Sequence, residues 1–350
     1  MPAEAQDTQP GADPALAQGG VLVMGTGNVG GWLGGRLAAA GVSVVLVGRP
    51  RMMQALRSVG LTLSDRDGGH RHLPPERLHL LDAIPPGAAP GLVLLCVKSG
   101  ATAQAAAELA AALPAGTPVV SMQNGIHNAD VAQAAAPRLA VLAGVVPYNI
   151  AELAPGHLHR GSAGTLAMQD HPALRPWLPA LRSAGLAVNV YADLAPVQWG
   201  KLLLNLNNAV NALSGLPLRA QLLDRHLRAC TAALIDEALG VLARAGIRPQ
   251  SPAGPPPSLV VRAMRLPTPL FRLLAARLLR IDAQARSSMA DDLALGRPTE
   301  VDAIQGEVLR LAAQLGMAAP LNARMLSLVQ GWAQHPMHLS GPALRQALGV

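Results

Sequence analysis

Val21-Leu22-Val23-Met24-Gly25-Thr26-Gly27-Asn28-Val29-Gly30 is the stretch on which the fold turns. Four apolar residues run directly into Gly-x-Gly-x-x-Gly, and helix-compatible residues 32–40 follow, so the segment predicts strand, tight loop and helix. Each glycine then has a task. Gly25 makes the turn, Gly27 lets backbone approach a pyrophosphate, and Gly30 lets the helix pack closely on the strand. A glycine turn without a ligand is the plainer alternative. The strand before it and the helix after it favour a dinucleotide cofactor, held by Gly25, Gly27, Asn28, Val29 and Gly30.

Gly41 stops the first helix, and residues 42–47 read as a second β-branched strand ending at Gly48-Arg49. An NAD site normally places a carboxylate there to bind the ribose hydroxyls. Arg49 instead offers a planar fork for a 2′-phosphate, so NADPH/NADP is favoured, and Arg51 could share the role. Further strands are expected at 61–63, 92–97, 119–122, 139–146 and 186–190, with Ala-rich helices at 101–113 and 129–136 between them. Such alternation predicts a mostly parallel, doubly wound α/β sheet covered on both faces.

From Asp193 onward the periodicity is helical. Asp193 is placed to cap a helix through 199–213, and others are expected at 222–245, 270–281 and 301–315. The resulting division is a disordered tail at 1–19, a cofactor-binding domain at 20–192, a helical substrate and catalytic domain at 193–335, and a tail at 336–350.

Of the 28 basic residues only Lys98 and Lys201 are lysines. A solvated cation can be either residue, but an amine that transfers a proton cannot become a guanidinium, which keeps its charge and is larger. Both lysines are therefore candidates for chemistry, against the alternative that they are chance survivors of a drift toward Arg. Lys98 ends the apolar run 92–97. Lys201 shares a helical stripe with Asn205 and Asn208, while Asn207 lies off it. Asn is a poor helix former, so this run is either a polar network between helices or a polar wall facing a cleft. Farther on, Ser287-Ser288 and Asp291-Asp292 precede a helix expected to begin at Pro298 or Thr299. Glu300 would then lie in its first turn, where the dipole favours a carboxylate.

The glycine loop, Arg49, Cys96-Val97-Lys98-Ser99, Met122-Gln123-Asn124-Gly125, Lys201 with Asn205, and the segment from Ser288 to Glu300 resemble, in order and spacing, the ketopantoate (2-dehydropantoate 2-) reductase family over roughly residues 20–335. The Lys-x-x-x-Asn and Ser-Met-x-x-Asp…Thr-Glu-x-Asp elements are specific to that family; the glycine loop is not. The resemblance implies a Rossmann-type N-terminal domain followed by an all-α C-terminal domain, with NADPH between them and hydride transfer to C2 of a branched 2-oxo acid. It implies that Lys201 is the general acid and that Glu300 holds substrate and aids catalysis. It also implies that Asn205 and Ser288 bind substrate and that Lys98 and Asn124 line the cofactor and active site. One departure stands out: Ala209 occupies a position where enteric members carry Asn, and Asn208 beside it is the candidate substitute.

Other classes are disfavoured. The net charge of +7 is spread along the chain, and Phe271, Tyr148, Tyr191 and four Trp are too few aromatics for a typical base-stacking surface, so no nucleic acid is expected. No run reaches the roughly 18 apolar residues of a membrane span, and the basic segment 271–280 reads as a core-facing stripe. His157/His159 and His70/His72 lack a third ligand, so no metal is expected. Cys96 and Cys230 form no disulfide framework, which fits a reducing, cytoplasmic setting. The expected partner is a small 2-oxo acid, and a homodimer is left open.

Overall fold

The computed structural model describes residues 16, 19–252, 254–276 and 285–350. The strands are β1 (Val21–Met24), β2 (Val44–Val47), β3 (Leu61–Asp65), β4 (His70–Leu73), β5 (His79–Leu81), β6 (Leu92–Leu95), β7 (Pro118–Ser121), β8 (Ala140–Val145), β9 (Ile150–Ala154), β10 (His157–Arg160), β11 (Leu166–Gln169) and β12 (Val188–Tyr191). Eight of them form one sheet in the order β12-β11-β8-β7-β6-β1-β2-β5, parallel except for the β8–β11 pair. Every residue of β1, β2 and β6 is buried, as covered parallel strands require.

The helices of this half are α1 (Asn28–Ala39), α2 (Pro50–Val59), α3 (Thr102–Ala112), α4 (Asn128–Ala135) and α5 (Leu178–Ser183). The chain leaves β1 toward β2 on one side, whereas β6 pairs on the other. Met24 lies beside Leu95, so the glycine loop and Cys96-Val97-Lys98 emerge together at the point where the winding reverses. Open α/β sheets bind ligands at that kind of crevice.

A second sheet, ordered β4-β3-β10-β9, was not anticipated, and the strand expected at 61–63 belongs to it as β3 rather than to the parallel sheet. Its strands His-Arg-His-Leu and His-Leu-His-Arg are short and polar, so apolar periodicity gave little to read. Helix α1 is wedged between the two sheets along a glycine face. A Cβ on Gly34 would stand 2.6 Å from Leu46 Cδ2, and one on Gly31 would stand 2.7 Å from Leu158 Cδ1.

The C-terminal half is helical: α6 (Ala195–Asn205), α7 (Asn207–Ser214), α8 (Leu218–Leu223), α9 (Arg225–Arg244), α10 (Pro257–Met264), α11 (Thr268–Leu274), α12 (Ser288–Ala294), α13 (Gln305–Gln314), α14 (Pro320–Gln330) and α15 (Gly341–Leu348). Its core gathers Leu203, Leu206, Val210, Leu227, Ile235 and Met325.

Several expected elements are corrected. The helix expected through 199–213 is interrupted at Leu206, whose carbonyl accepts from the buried Gln305 amide at 3.4 Å. The helix expected at 222–245 divides at Asp224, which caps α9 by accepting from the N–H groups of His226 and Leu227. Glu300 precedes a 3₁₀ turn, Val301–Ala303, rather than sitting in an α-helical first turn. Helix α11 ends at Leu274, and residues 277–281 of the expected segment lie outside the described residues, as do 277–280 of its basic stripe. The stretch 336–350 is not a tail: α15 buries Leu344 and Leu348 completely against the helical core. The expected tail 1–19 lies outside the described residues except for Leu16 and Gly19. Leu16 is fully buried with Leu22 and Val45, so the packed domain begins before residue 20. Among the described residues no helix is long and apolar enough to cross a membrane.

Candidate active site

A cleft of about 2130 Å³ runs between the sheet and the helices. It is bordered by Gly25, Gly27, Asn28, Val29, Arg49, Lys98, Asn124, Lys201, Asn205, Asn208, Ser288 and Glu300. Gly30 alone among the expected residues does not border it.

The glycine loop divides its tasks as the motif requires. Gly25 has φ +104°, and a Cβ there would stand 2.6 Å from the Val97 nitrogen. Gly27 faces open space and forms the N-terminal boundary of α1. A Cβ on Gly30 would strike the Gly25 carbonyl at 2.2 Å, so Gly30 supports the loop from beneath. The bare backbone at Gly27 and the start of α1 fit a pyrophosphate, with partial positive charge directed at it. Asn28 braces this turn by donating to the Ile150 carbonyl at 3.0 Å.

Arg49 sits at the end of β2 as the residue before α2 and has no hydrogen-bond or ion-pair partner among the described residues. Arg51 is differently placed. Its guanidinium grips Glu152 at 2.6 and 3.3 Å, which occupies the fork that the sequence offered as a second candidate for the phosphate.

Across the cleft a chain of polar contacts joins the two halves. Asn205 Nδ2 donates to Asn124 Oδ1 at 3.2 Å, and Asn124 Nδ2 donates to Glu300 Oε2 at 2.9 Å. Glu300 Oε1 accepts from Ser99 Oγ at 3.0 Å and from the Ser99 N–H at 3.3 Å. Lys98 Nζ donates to Asp292 Oδ1 at 2.5 Å. Burial pushes the Asp292 carboxyl upward, and the Lys98 ammonium opposes that shift. Asp292 and Ser99 belong to segments singled out by the sequence but were assigned no role. Only the fold brings them to their partners.

Lys201 projects from α6 with no hydrogen-bond or ion-pair partner among the described residues. Burial lowers its pKa from the ordinary 10.5 to about 8. Asn205, Asn208 and Lys201 share the cleft despite the break at Leu206. Ala209 faces the core and is fully buried, whereas Asn208 and Asn207 beside it both border the cleft. The neighbouring Asn207 and Asn211 prove structural. Asn207 Oδ1 accepts from Gln221 at 2.7 Å and Thr231 at 2.9 Å, and Asn211 Oδ1 accepts from the Ser287 N–H at 2.9 Å. That last bond, with Ser287 Oγ donating to the Asn208 carbonyl at 3.2 Å, fixes the start of α12 and so places Ser288.

The family model described as ketopantoate reductase PanE/ApbA matches residues 21–173, and its C-terminal counterpart matches residues 193–333. This chain belongs to the ketopantoate reductase family. A 2-dehydropantoate 2-reductase of Halobacterium salinarum is 30% identical over 325 residues, spanning 89% of this chain and 97% of that protein. A solved PanE/ApbA family ketopantoate reductase from Ralstonia eutropha JMP134 has 29% identity and a TM-score of 0.73, covering 89% of this chain and 97% of its own. A D-mandelate dehydrogenase solved with NADH and anilino(oxo)acetate shares the fold at 18% identity and a TM-score of 0.71, covering 94% and 99%.

Among the described residues no group of three or more His, Cys, Asp or Glu is arranged to hold an ion. His157 and His159 flank Ser64 Oγ at 2.8 and 2.9 Å within the second sheet.

Proposed function

We propose that this ketopantoate reductase family member catalyses NADPH-dependent reduction of 2-dehydropantoate to pantoate, as a cytoplasmic step toward pantothenate and coenzyme A. The observation that carries this reading is Lys201, an unpaired amine with a pKa of about 8, in one cleft with the glycine loop, Asn205, Ser288 and Glu300. NADPH, when bound, supplies the hydride that reduces the C2 carbonyl. The chain's own part is to bind, orient and donate a proton.

Lys201 is mostly ammonium at neutral pH and donates its proton to the C2 oxygen while stabilising the charge that develops there. The balance is 2-oxo acid plus NADPH plus one proton, giving 2-hydroxy acid plus NADP⁺, and solvent restores the proton on Nζ. Asn205, Asn208 and Ser288 orient the oxygen-rich substrate. Glu300, held by Ser99 and Asn124, accepts hydrogen bonds from the substrate's hydroxyl. Lys98 and Asn124 shape the nicotinamide end of the cleft, and Arg49 receives the 2′-phosphate. A Lys98–Asp292 pair across the cleft suits a site assembled by two domains.

The test is NADPH consumption with 2-dehydropantoate, run beside NADH and beside a panel of other 2-oxo acids. NADPH binding without turnover on any 2-oxo acid would sink the enzyme reading and leave a redox-sensing binding protein in its place.

A further inference from the structure

A second cavity, of about 110 Å³, lies where helix α1 meets the ends of the two sheets. Trp32 and Arg36 line it from α1, Asp65 from the end of β3, Arg160 from the end of β10, and Tyr148 from the connection between β8 and β9. That volume suits a small polyatomic ion or about three waters, at roughly 30 Å³ each.

The polar groups that reach it without a partner are donors. Tyr148 is 6% exposed, and its hydroxyl has no hydrogen-bond partner among the described residues. Burial holds the phenol above its ordinary pKa of 10, so the proton stays on the oxygen. Arg160 Nε is likewise buried and unpartnered among the described residues. Arg36 donates Nε to the Ala184 carbonyl at 2.9 Å and has no ion-pair partner among the described residues. Buried donors of this kind call for an acceptor.

The carboxylate on the lining is already engaged. Asp65 Oδ1 accepts from the N–H groups of Asp67 and Gly69 at 3.0 and 2.9 Å, and Oδ2 lies 3.5 Å from Arg160 Nη2. The lining therefore sets two guanidiniums against one carboxylate, and the charge of Arg36 is the one left over.

We propose that this cavity binds a small monovalent oxyanion, a carboxylate such as formate or acetate or singly charged inorganic phosphate. Tyr148 Oη and Arg160 Nε donate hydrogen bonds to it, and Arg36 supplies the balancing charge. Water would answer the donors but not that charge, and a metal cation would face two guanidiniums. The site lies close to the cofactor cleft without being part of it. Tyr148 also borders the cleft, and two residues farther on the Ile150 carbonyl accepts from Asn28 of the glycine loop. Arg36 and Arg160 do not border the cleft.

The experiment follows the full chain made with isotope-labelled tyrosine by nuclear magnetic resonance. Its two tyrosines, Tyr148 and Tyr191, give separate ring signals, which Tyr148→Phe assigns. Formate, acetate and inorganic phosphate are titrated in turn, with chloride at matched ionic strength as the control. A saturable shift of the Tyr148 signal with a carboxylate or with phosphate supports the site, and the tighter of the two names its ion. Arg36→Gln should weaken that binding at least about tenfold. A Tyr148 signal indifferent to all three oxyanions overturns the proposal, as does an equal response to chloride. Unchanged affinity in Arg36→Gln overturns it too, because the ion would then be acting from the cleft. Arg160→Gln carries the same prediction where Arg36→Gln does not fold.

Discussion

Lys98 Nζ stands 2.5 Å from Asp292 Oδ1, joining the end of strand β6 to helix α12 across 194 positions of sequence. Asp292 is largely buried, and burial alone pushes its carboxyl toward the neutral form. Lys98 therefore keeps an anion inside the seam between sheet and helices. Lys98→Ala should lower turnover at least about tenfold while leaving the far-ultraviolet spectrum unchanged, because an unpaired buried charge costs more than a missing surface one. Lys98→Ala kinetics matching those of the unmodified protein would return this lysine to the class of chance survivors.

Lys201 gives a pH prediction with a definite sign. Its pKa is lowered to about 8, so the protonated donor is present below that value and is lost as pH rises through it. Reduction should be flat at neutral pH and fall about tenfold per unit above pH 8, whereas oxidation of the 2-hydroxy acid should rise. Both Lys201→Ala and Lys201→Arg should lose at least about a hundredfold in turnover with NADPH still bound. An arginine variant of near-normal rate would show that charge alone suffices.

The same depressed pKa makes Lys201 a stability cost in the free protein. The folded state disfavours the ammonium, so the cost is full below about 8 and disappears as pH approaches the ordinary 10.5. Lys201→Met should raise the thermal midpoint at pH 7, by the equivalent of about 1 kcal/mol after solvent screening, and should not do so near pH 10.5. Calorimetry at the two pH values checks this.

On the proposed reading Arg49 carries a preference for NADPH. Arg49→Ala should weaken NADPH by roughly 1.5 to 3 kcal/mol, about 10- to 150-fold, with little effect on NADH. Equal affinity of the unmodified protein for the two cofactors, measured by fluorescence titration, would remove the argument.

Two glycines of the loop should fail in different ways. Gly27→Ala meets no protein atom and should fold normally, but its methyl occupies space where backbone faces the pyrophosphate, lowering NADPH affinity at least about tenfold. Gly30→Ala would drive a methyl into the Gly25 carbonyl at 2.2 Å and should destabilise the domain by about 1 to 3 kcal/mol. Paired melting curves and cofactor titrations separate the two outcomes.

What could be read from sequence follows a physical pattern. The central strands of the large sheet, β1, β2 and β6, are buried on both faces and so write themselves as unbroken apolar runs. The second sheet could not be read this way: β4, with His70 and His72, and β10, with His157 and His159, carry little apolar signal, and β10 reaches its partner β3 only across a large sequence separation. The interruption at Leu206 was equally hidden, since it depends on Gln305 arriving from a distant helix. Lys201 and Asn205 were legible because both lie on one helical face. Asp292 was not, because its partner Lys98 comes from the other end of the chain, and neither residue's local spacing names the other.

Arginine bias leaves this chain with two side-chain amines, and the fold treats them oppositely. Lys98 lies against the Asp292 carboxyl, whereas Lys201 projects into the cleft with no partner among the described residues, and burial lowers its pKa to about 8. Only the neutral amine is nucleophilic. An acylating or aldehyde reagent small enough to enter should therefore mark the cleft at Lys201 in preference to Lys98, so that the protein carries its own single-site handle for a reporter placed there.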